Sequence, residues 1–392
     1  MRCSLSPHNN FHIINPVSIF IVLLCLLALS CNRAKNMQGE PINFKYASNI
    51  SITKCDGYWQ VRLDNPWQKG TVLHNYTLIS HEDSAKMSKA NIPSGSTVVY
   101  IPLRRSVVMN TAHASLIHML DNGSNNLVER IAGVADAKYM QLPYIHEGMA
   151  KGRIADCGNS MSPDYERIVD IGADAVLLSP FENSGGYGKL ETLGIPIIEC
   201  AEYMETSALG RAEWMLFYGL LFGGYEESVS LFDSICSEYS NWKAIATKSG
   251  PGLSMLTEKL TSGTWYIAGG KSTVSQLITD AGGSYCWSSD NHSGSIPMSF
   301  ERVLDKSGDA DVWIFNSTTP DMSYDKLYSE YHGYSQLKSF RNHNVWCVNS
   351  LKVPYFEEVS FRPDLLLRDY VIMLHPYAKD LGTTRYFKKL YE

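Results

Sequence analysis

Residues 207–248, SALGRAEWMLFYGLLFGGYEESVSLFDSICSEYSNWKAIATK, constrain this chain more than any other stretch. Thr206 and Ser207 offer hydroxyls that can cap a helix start. Beyond them Trp214, Phe217, Tyr218 and Leu221 recur at helical spacing, and Val229, Phe232, Ile235, Tyr239, Trp242 and Ile245 continue the pattern. Gly223-Gly224 interrupts it, which leaves either one kinked helix or two with a short joint. The run Ser249-Gly250-Pro251-Gly252 stops it. Alone, this reads as a large core helix.

The flanks extend that reading. PDYERIVD at 163–170 precedes ADAVLL at 173–178, and MSFERVLD at 298–305 precedes ADVWIF at 310–315. Both place aromatic-Glu-Arg-aliphatic-aliphatic-Asp on a short helix, followed by Ala-Asp and an apolar strand. Either two amphipathic units match by coincidence, or two related lobes are joined by a helical spine. The second alternative puts the working surface in the cleft between the lobes.

Elsewhere the chain alternates strand and helix. Strands are expected at 50–52, 58–63, 76–79 and 97–100, forming a β-rich amino-terminal extension. A strand at 106–110 leads into a helix at 111–120, whose start lies where open α/β sheets place ligands. A strand region at 128–134 follows, then a long polar loop over 135–162 and a strand at 175–179. The glycine-rich loop 183–188, a helix at 189–193 and a strand at 195–199 complete the first half. Beyond the central helix come a strand at 253–256, a loop at 264–270, a helix at 272–281 and strands at 312–315 and 345–348. A last helix spans 363–374. The fold class is α/β: two Rossmann-like lobes with parallel sheets, bridged by a long helix.

A chain of 392 residues with net charge −6 argues against a nucleic-acid partner. VSIFIVLLCLLALS at 17–30 is apolar and uncharged, too short to span a bilayer comfortably, and suits a signal-peptide core. It ends on Cys31 in a pattern that resembles a bacterial lipobox, which implies cleavage there and lipid on that thiol. The polar stretch after it suits a tether. The resulting division is a signal peptide at 1–30, a tether at 31–41, extension and first lobe at 42–206, bridging helix at 207–248, and second lobe at 249–392. Cys55, Cys157, Cys200, Cys236, Cys286 and Cys347 are equally compatible with bridges and with buried thiols, and no CxxC pair is present.

Gly269-Gly270-Lys271-Ser272 ends like a phosphate-binding loop, but Trp265 stands where that motif needs glycine. No GxSxG or HExxH occurs, and the histidines are scattered, so no metal site or cofactor is expected.

The ordered set SALGRAEW, DYERIVDIGADAVLL, GTWYIAGGKS, DAGGSYCW, SFERVL and FRPDLLLRD resembles the iron-chelate and cobalamin substrate-binding proteins (class III) of ABC importers over about residues 42–392. The resemblance implies a monomer that holds a ferric siderophore, haem or cobalamin between its lobes. It also implies delivery to an ABC permease dimer from a lipid anchor in the periplasm. By motif match, Glu166 and Glu301 are the permease-docking carboxylates. Ligand-binding candidates are Thr111, His113, Phe181, Glu182 and Tyr187 from the first lobe. Trp265, Tyr266, Tyr285, Trp287, Tyr355, Phe356 and Glu357 are those from the second. Two further classes stay open: an exported enzyme using His113 and Glu182 as an acid–base pair, and a structural lipoprotein whose cleft is filled by side chains.

Overall fold

From Ser106 onward, apolar strands alternate with short helices and assemble into two separate sheets. The computed structural model describes residues 39–85, 92–182 and 186–391. In the first sheet the order is Ile197–Glu199, Ala175–Leu178, Ser106–Val108, Ile131–Val134 and Ala155–Asp156, all parallel. Its three central strands are buried at every residue, as a sheet covered on both faces requires. The second sheet orders Met255–Thr257, Val312–Ser317 and Val345–Asn349 in parallel, with Lys388–Lys389 antiparallel at one edge.

The amino-terminal extension is a five-stranded sheet running from Glu40–Pro41 to Thr97–Ile101, antiparallel except for its last pair. It covers the open edge of the first sheet. Tyr76 Oη donates to the carbonyl of Ile197 (3.0 Å) and accepts from the amide of Glu199 (2.9 Å), while His74 Nδ1 meets Glu199 Oε2 at 2.9 Å. An edge strand left bare would invite pairing with another chain.

Residues 207–248 do not form one rod. Ala208–Glu213 is capped by Ser207, whose hydroxyl accepts from the amide of Gly210; Met215–Phe222 follows a break at Trp214; and Tyr225–Ser249 is the long segment. Gly223 closes the middle segment with φ at 77°, a left-handed turn that a side chain resists. The joint lets Met215–Phe222, buried throughout, pack against the start of the long helix. That long helix runs against Pro363–Leu374 of the second half and also touches Thr111–Leu120 of the first.

Four local expectations change, the first being that only Ile131–Val134 of the strand region expected at 128–134 is a strand, since Leu127–Arg130 forms a 3₁₀ turn. Residues 264–268 are a strand, Thr264–Ala268, because Trp265 and Ile267 face inward while Tyr266 faces out; the glycines after it had suggested a loop. The supposed loop at 135–162 contains the helix Pro143–Ala150, started by a proline in the first turn. The expected helix at 189–193 is a 3₁₀ segment, Gly188–Leu193. All six cysteines among the described residues are free thiols. Among the described residues no helix is long and apolar enough to cross a membrane.

Candidate functional site

Both parallel sheets end on one cavity of about 570 Å³. From the first half, Met109, Asn110 and Thr111 follow the strand Ser106–Val108, and Ala135 and Asp136 follow Ile131–Val134. From the second half, Thr257 and Glu258 end Met255–Thr257, Asn316 lies near the end of Val312–Ser317, and Tyr355, Phe356, Val359 and Ser360 come after Val345–Asn349. The carboxyl ends of parallel strands are where side chains and loops are free to diverge toward a ligand. Ala208 and Arg211 from the first helical segment, with Leu277, Leu366 and Tyr370, complete the wall. Tyr139, Tyr355 and Phe356 give it aromatic surface at small rotamer cost, and the nearly buried Tyr370 and Phe387 back the wall.

Among the described residues three acidic or basic side chains reach this cavity. Asp136 is already occupied, because its oxygens accept from Asn159 Nδ2 (3.0 Å) and the amide of Ser160 (2.9 Å). Glu258 is held in a left-handed conformation, φ 65°. Its amide donates to the carbonyl of Ile314 (2.8 Å), its carbonyl accepts from Trp313 Nε1 (2.6 Å), and the preceding carbonyl of Thr257 accepts from Trp265 Nε1 (2.8 Å). Such backbone costs about 1–3 kcal/mol and persists only where its surroundings over-determine it. Arg211 makes one side-chain hydrogen bond, from Nη2 to Ser360 Oγ at 2.7 Å, and burial lowers its pKa despite the nearby Glu202.

The twelve candidate ligand residues separate into groups. Thr111, Tyr355 and Phe356 line the cavity. Glu357 lies just behind it, 2% exposed: its Oε1 accepts from Thr111 Oγ1 and from the amide of Gln141, both at 2.9 Å, joining second half to first. His113 is a core residue, fully buried beside Glu202 at 2.8 Å, because the third helical position turns away from the strand end. Trp265, Tyr285 and Trp287 are core as well; Trp265 buttresses Thr257, and Tyr285 Oη donates to the carbonyl of Ala268. Tyr266, alternating with Trp265 along the strand, lies on the exposed side. Phe181 and Tyr187 line a separate cavity of about 430 Å³, which shares Met109 and Asn110 with the larger one. Glu182 is on the surface, so His113 and Glu182 do not form an acid–base pair.

Sequence reasoning passed over Asp136, Tyr139, Arg211, Glu258 and Asn316. Arg211 had a visible signal, being the single basic side chain between Ser207 and Trp242. Glu258 and Asn316 needed only the rule already applied to Thr111, that residues at a parallel strand's end face the ligand.

Glu166 and Glu301 occupy equivalent helical positions. Each is the second residue of its helix, Tyr165–Asp170 or Phe300–Ser307, and each is exposed. Asp164 and Ser299 cap the two helices by accepting from the amides of Arg167 and Arg302. Cys31 lies outside the described residues.

Two α/β halves that both bring strand ends to a shared cavity have the architecture of a ligand-binding protein. Residues 107–350 match the model of the periplasmic binding protein family, and the chain belongs to that family. It is 25% identical over 362 residues to an uncharacterized lipoprotein of Methanocaldococcus jannaschii, covering 88% of this chain and 84% of that one. Among solved structures it resembles a periplasmic haem-binding protein of Pseudomonas aeruginosa (TM-score 0.54, 14% identity, 74% of this chain and 98% of that one). It also resembles the periplasmic vitamin B12 binding protein of Vibrio cholerae (TM-score 0.52, 14% identity, 71% and 99%). At these identities the likeness to solved structures is one of fold.

Proposed function

We propose that this chain is a lipid-anchored, periplasm-facing substrate-binding protein. It captures a metal chelate, a ferric siderophore or haem, in the cavity between its halves and hands it to an ABC importer. The observation that carries this reading is the 570 Å³ cavity, formed by strand ends of both sheets and walled by aromatic rings. Family membership and the haem-binding fold neighbour support it, and the lipoprotein name of the archaeal relative supports anchoring at Cys31. Glu166 and Glu301 are the docking carboxylates in this reading, because exposed charges at matched places on two halves suit a two-fold permease.

The reading requires no chemistry on the ligand. Tight capture and later release follow from a difference in affinity between the free and the permease-bound conformations.

The test is a fluorescence titration of the full chain with haem, ferric siderophores and cobalamin. Trp265 and Trp313 stand directly behind the Thr257–Glu258 wall, so an absorbing ligand in the cavity quenches them. Saturable quenching by haem or a ferric siderophore, with the ligand recovered unchanged, is the expected result. Saturation by cobalamin alone selects the corrinoid reading, for which the Vibrio cholerae neighbour gives the precedent in fold. Chemical conversion of the bound ligand overturns the transport reading.

A further inference from the structure

The cavity wall contains a cation with no counter-ion among the described residues. The Arg211 side chain is enclosed by protein apart from the cavity it lines, and its one hydrogen bond runs from Nη2 to Ser360 Oγ, 2.7 Å. Nε is fully buried and has no partner. Of the five N–H donors on a guanidinium, the buried Nε–H cannot meet a ligand and one Nη2 hydrogen is taken, so the two on Nη1 and the second on Nη2 are left for the cavity. Among the described residues no carboxylate forms an ion pair with Arg211: Glu202, the acid with the largest electrostatic influence on it, is committed to His113 Nε2 (2.8 Å) and to Tyr218 Oη (3.1 Å). A buried charge without a partner is costly and survives where something else completes it. The remaining acids of the cavity do not compete: Asp136 is satisfied by its own loop, and Glu258 is exposed, with Glu202, not Glu258, the acid that acts on Arg211.

Resting on the chelate-binding reading of this cavity, we infer that Arg211 is the receptor for an anionic oxygen of the ligand, so that the cargo is a chelate carrying free carboxylates and not a neutral, amide-rimmed one. A carboxylate fits the planar fork of a guanidinium through two parallel N–H bonds. Ser360, by holding Nη2, fixes the plane in which that fork is offered. Aromatic rings around it supply contact area to the body of the ligand, and Arg211 supplies the charge selection.

The inference separates two properties that a purely structural arginine would keep together. Arg211→Met removes a buried unpaired charge, so the ligand-free protein is expected to melt at the same temperature or higher. Its affinity for a carboxylate-bearing chelate is expected to fall by roughly 30-fold or more. The probes are haem, ferric citrate, haem dimethyl ester and cyanocobalamin, titrated by tryptophan fluorescence against the full chain and the variant. The native chain should prefer haem to its dimethyl ester, or take up ferric citrate, and that preference should vanish in Arg211→Met. Equal affinity of native chain and variant for the acid probes overturns the inference, as does native preference for the ester or for cyanocobalamin. A lower melting point with unchanged affinity marks Arg211 as a brace and overturns it too. Should Arg211→Met fail to fold, Ser360→Ala keeps the charge and loosens its plane; a loss of about threefold or more for the acid probe supports the inference, and no loss overturns it. Failure of all four probes on the native chain overturns the chelate reading itself, a result distinguishable from loss of charge selection alone.

Discussion

His113 and Glu202 form a fully buried ion pair behind the cavity. Burial alone would depress the histidine, but the Glu202 carboxylate, helped by the Cys200 sulfur, raises it to about 10. Burial alone would likewise raise Glu202, yet the facing imidazolium brings it below the usual carboxylate range. The two signs define a window. The histidine contributes its full stabilisation below its unfolded pKa of about 6.5 and loses it as pH climbs toward 10. The glutamate contributes fully above about 4.3 and loses it on acidification. Urea unfolding should therefore show greatest stability from this pair between about pH 4.5 and 6.5, with a decline toward pH 10 that disappears in His113→Gln. That variant strands a buried carboxylate and should lose about 3–5 kcal/mol at pH 6. The error in reading His113 was one of direction: sequence locates a residue at a strand–helix turn but not the face its side chain takes. Three positions into the helix Thr111–Leu120 is enough to rotate it from cavity to core.

At the scale of elements, the amino-terminal extension is secured by acids from the central helical region. Glu213 accepts three amides, from Lys45, Tyr46 and Ala47, each at 2.7 Å. Glu205 accepts the amides of Ser48 and Asn49 and the indole N–H of Trp214. Hydrogen bonds to an ionised acceptor contribute about 1.5–3 kcal/mol each. Glu213→Ala is thus expected to cost about 3 kcal/mol or more and to speed hydrogen exchange at residues 45–47, read by mass spectrometry on native and variant chains. Equal exchange in both would show that packing alone holds the segment. Gly223→Ala should cost about 1–2 kcal/mol, because φ of 77° disfavours a side chain and the added Cβ would stand 3.1 Å from Pro102. Local signals told most of this level: the Ser207, Ser272 and Pro363 helix starts were readable from capping chemistry, and the four longer strands of the extension from β-branched and aromatic runs. The Glu205 and Glu213 clamps on the extension were not, because its amides lie 156 to 168 residues from the two acids and contact at that separation leaves no trace in one sequence.

Over the whole molecule, two parallel sheets and a shared cavity account for why so short a repeat as aromatic-Glu-Arg was informative. Both copies start helices that lead into central strands, Ala175–Leu178 and Val312–Ser317, so equivalent residues arise at equivalent places in each half. On the proposed transport reading, the double variant Glu166→Ala, Glu301→Ala should bind ligand within about twofold of the native chain while cellular uptake falls about tenfold or more. Loss of binding by the purified double variant would remove these residues from a docking role. Architecture was the most legible level because it follows from periodicity summed over many residues. The cavity wall was less so, since aromatic content alone does not distinguish Trp265, wholly interior, from Tyr355 at the surface of the cleft.

The Glu357 carboxylate, bonded to Thr111 and Gln141 across the two halves, also sets how cargo can come and go. A crosspiece of this kind resists wide gaping, leaving passage to the rings at the mouth, Phe356 (49% exposed) and Tyr139 (60% exposed), which can swing without moving the sheets. Small-angle scattering should then record a radius of gyration that shifts by under about 1 Å on loading. In Glu357→Gln the same measurement should detect a broader free ensemble.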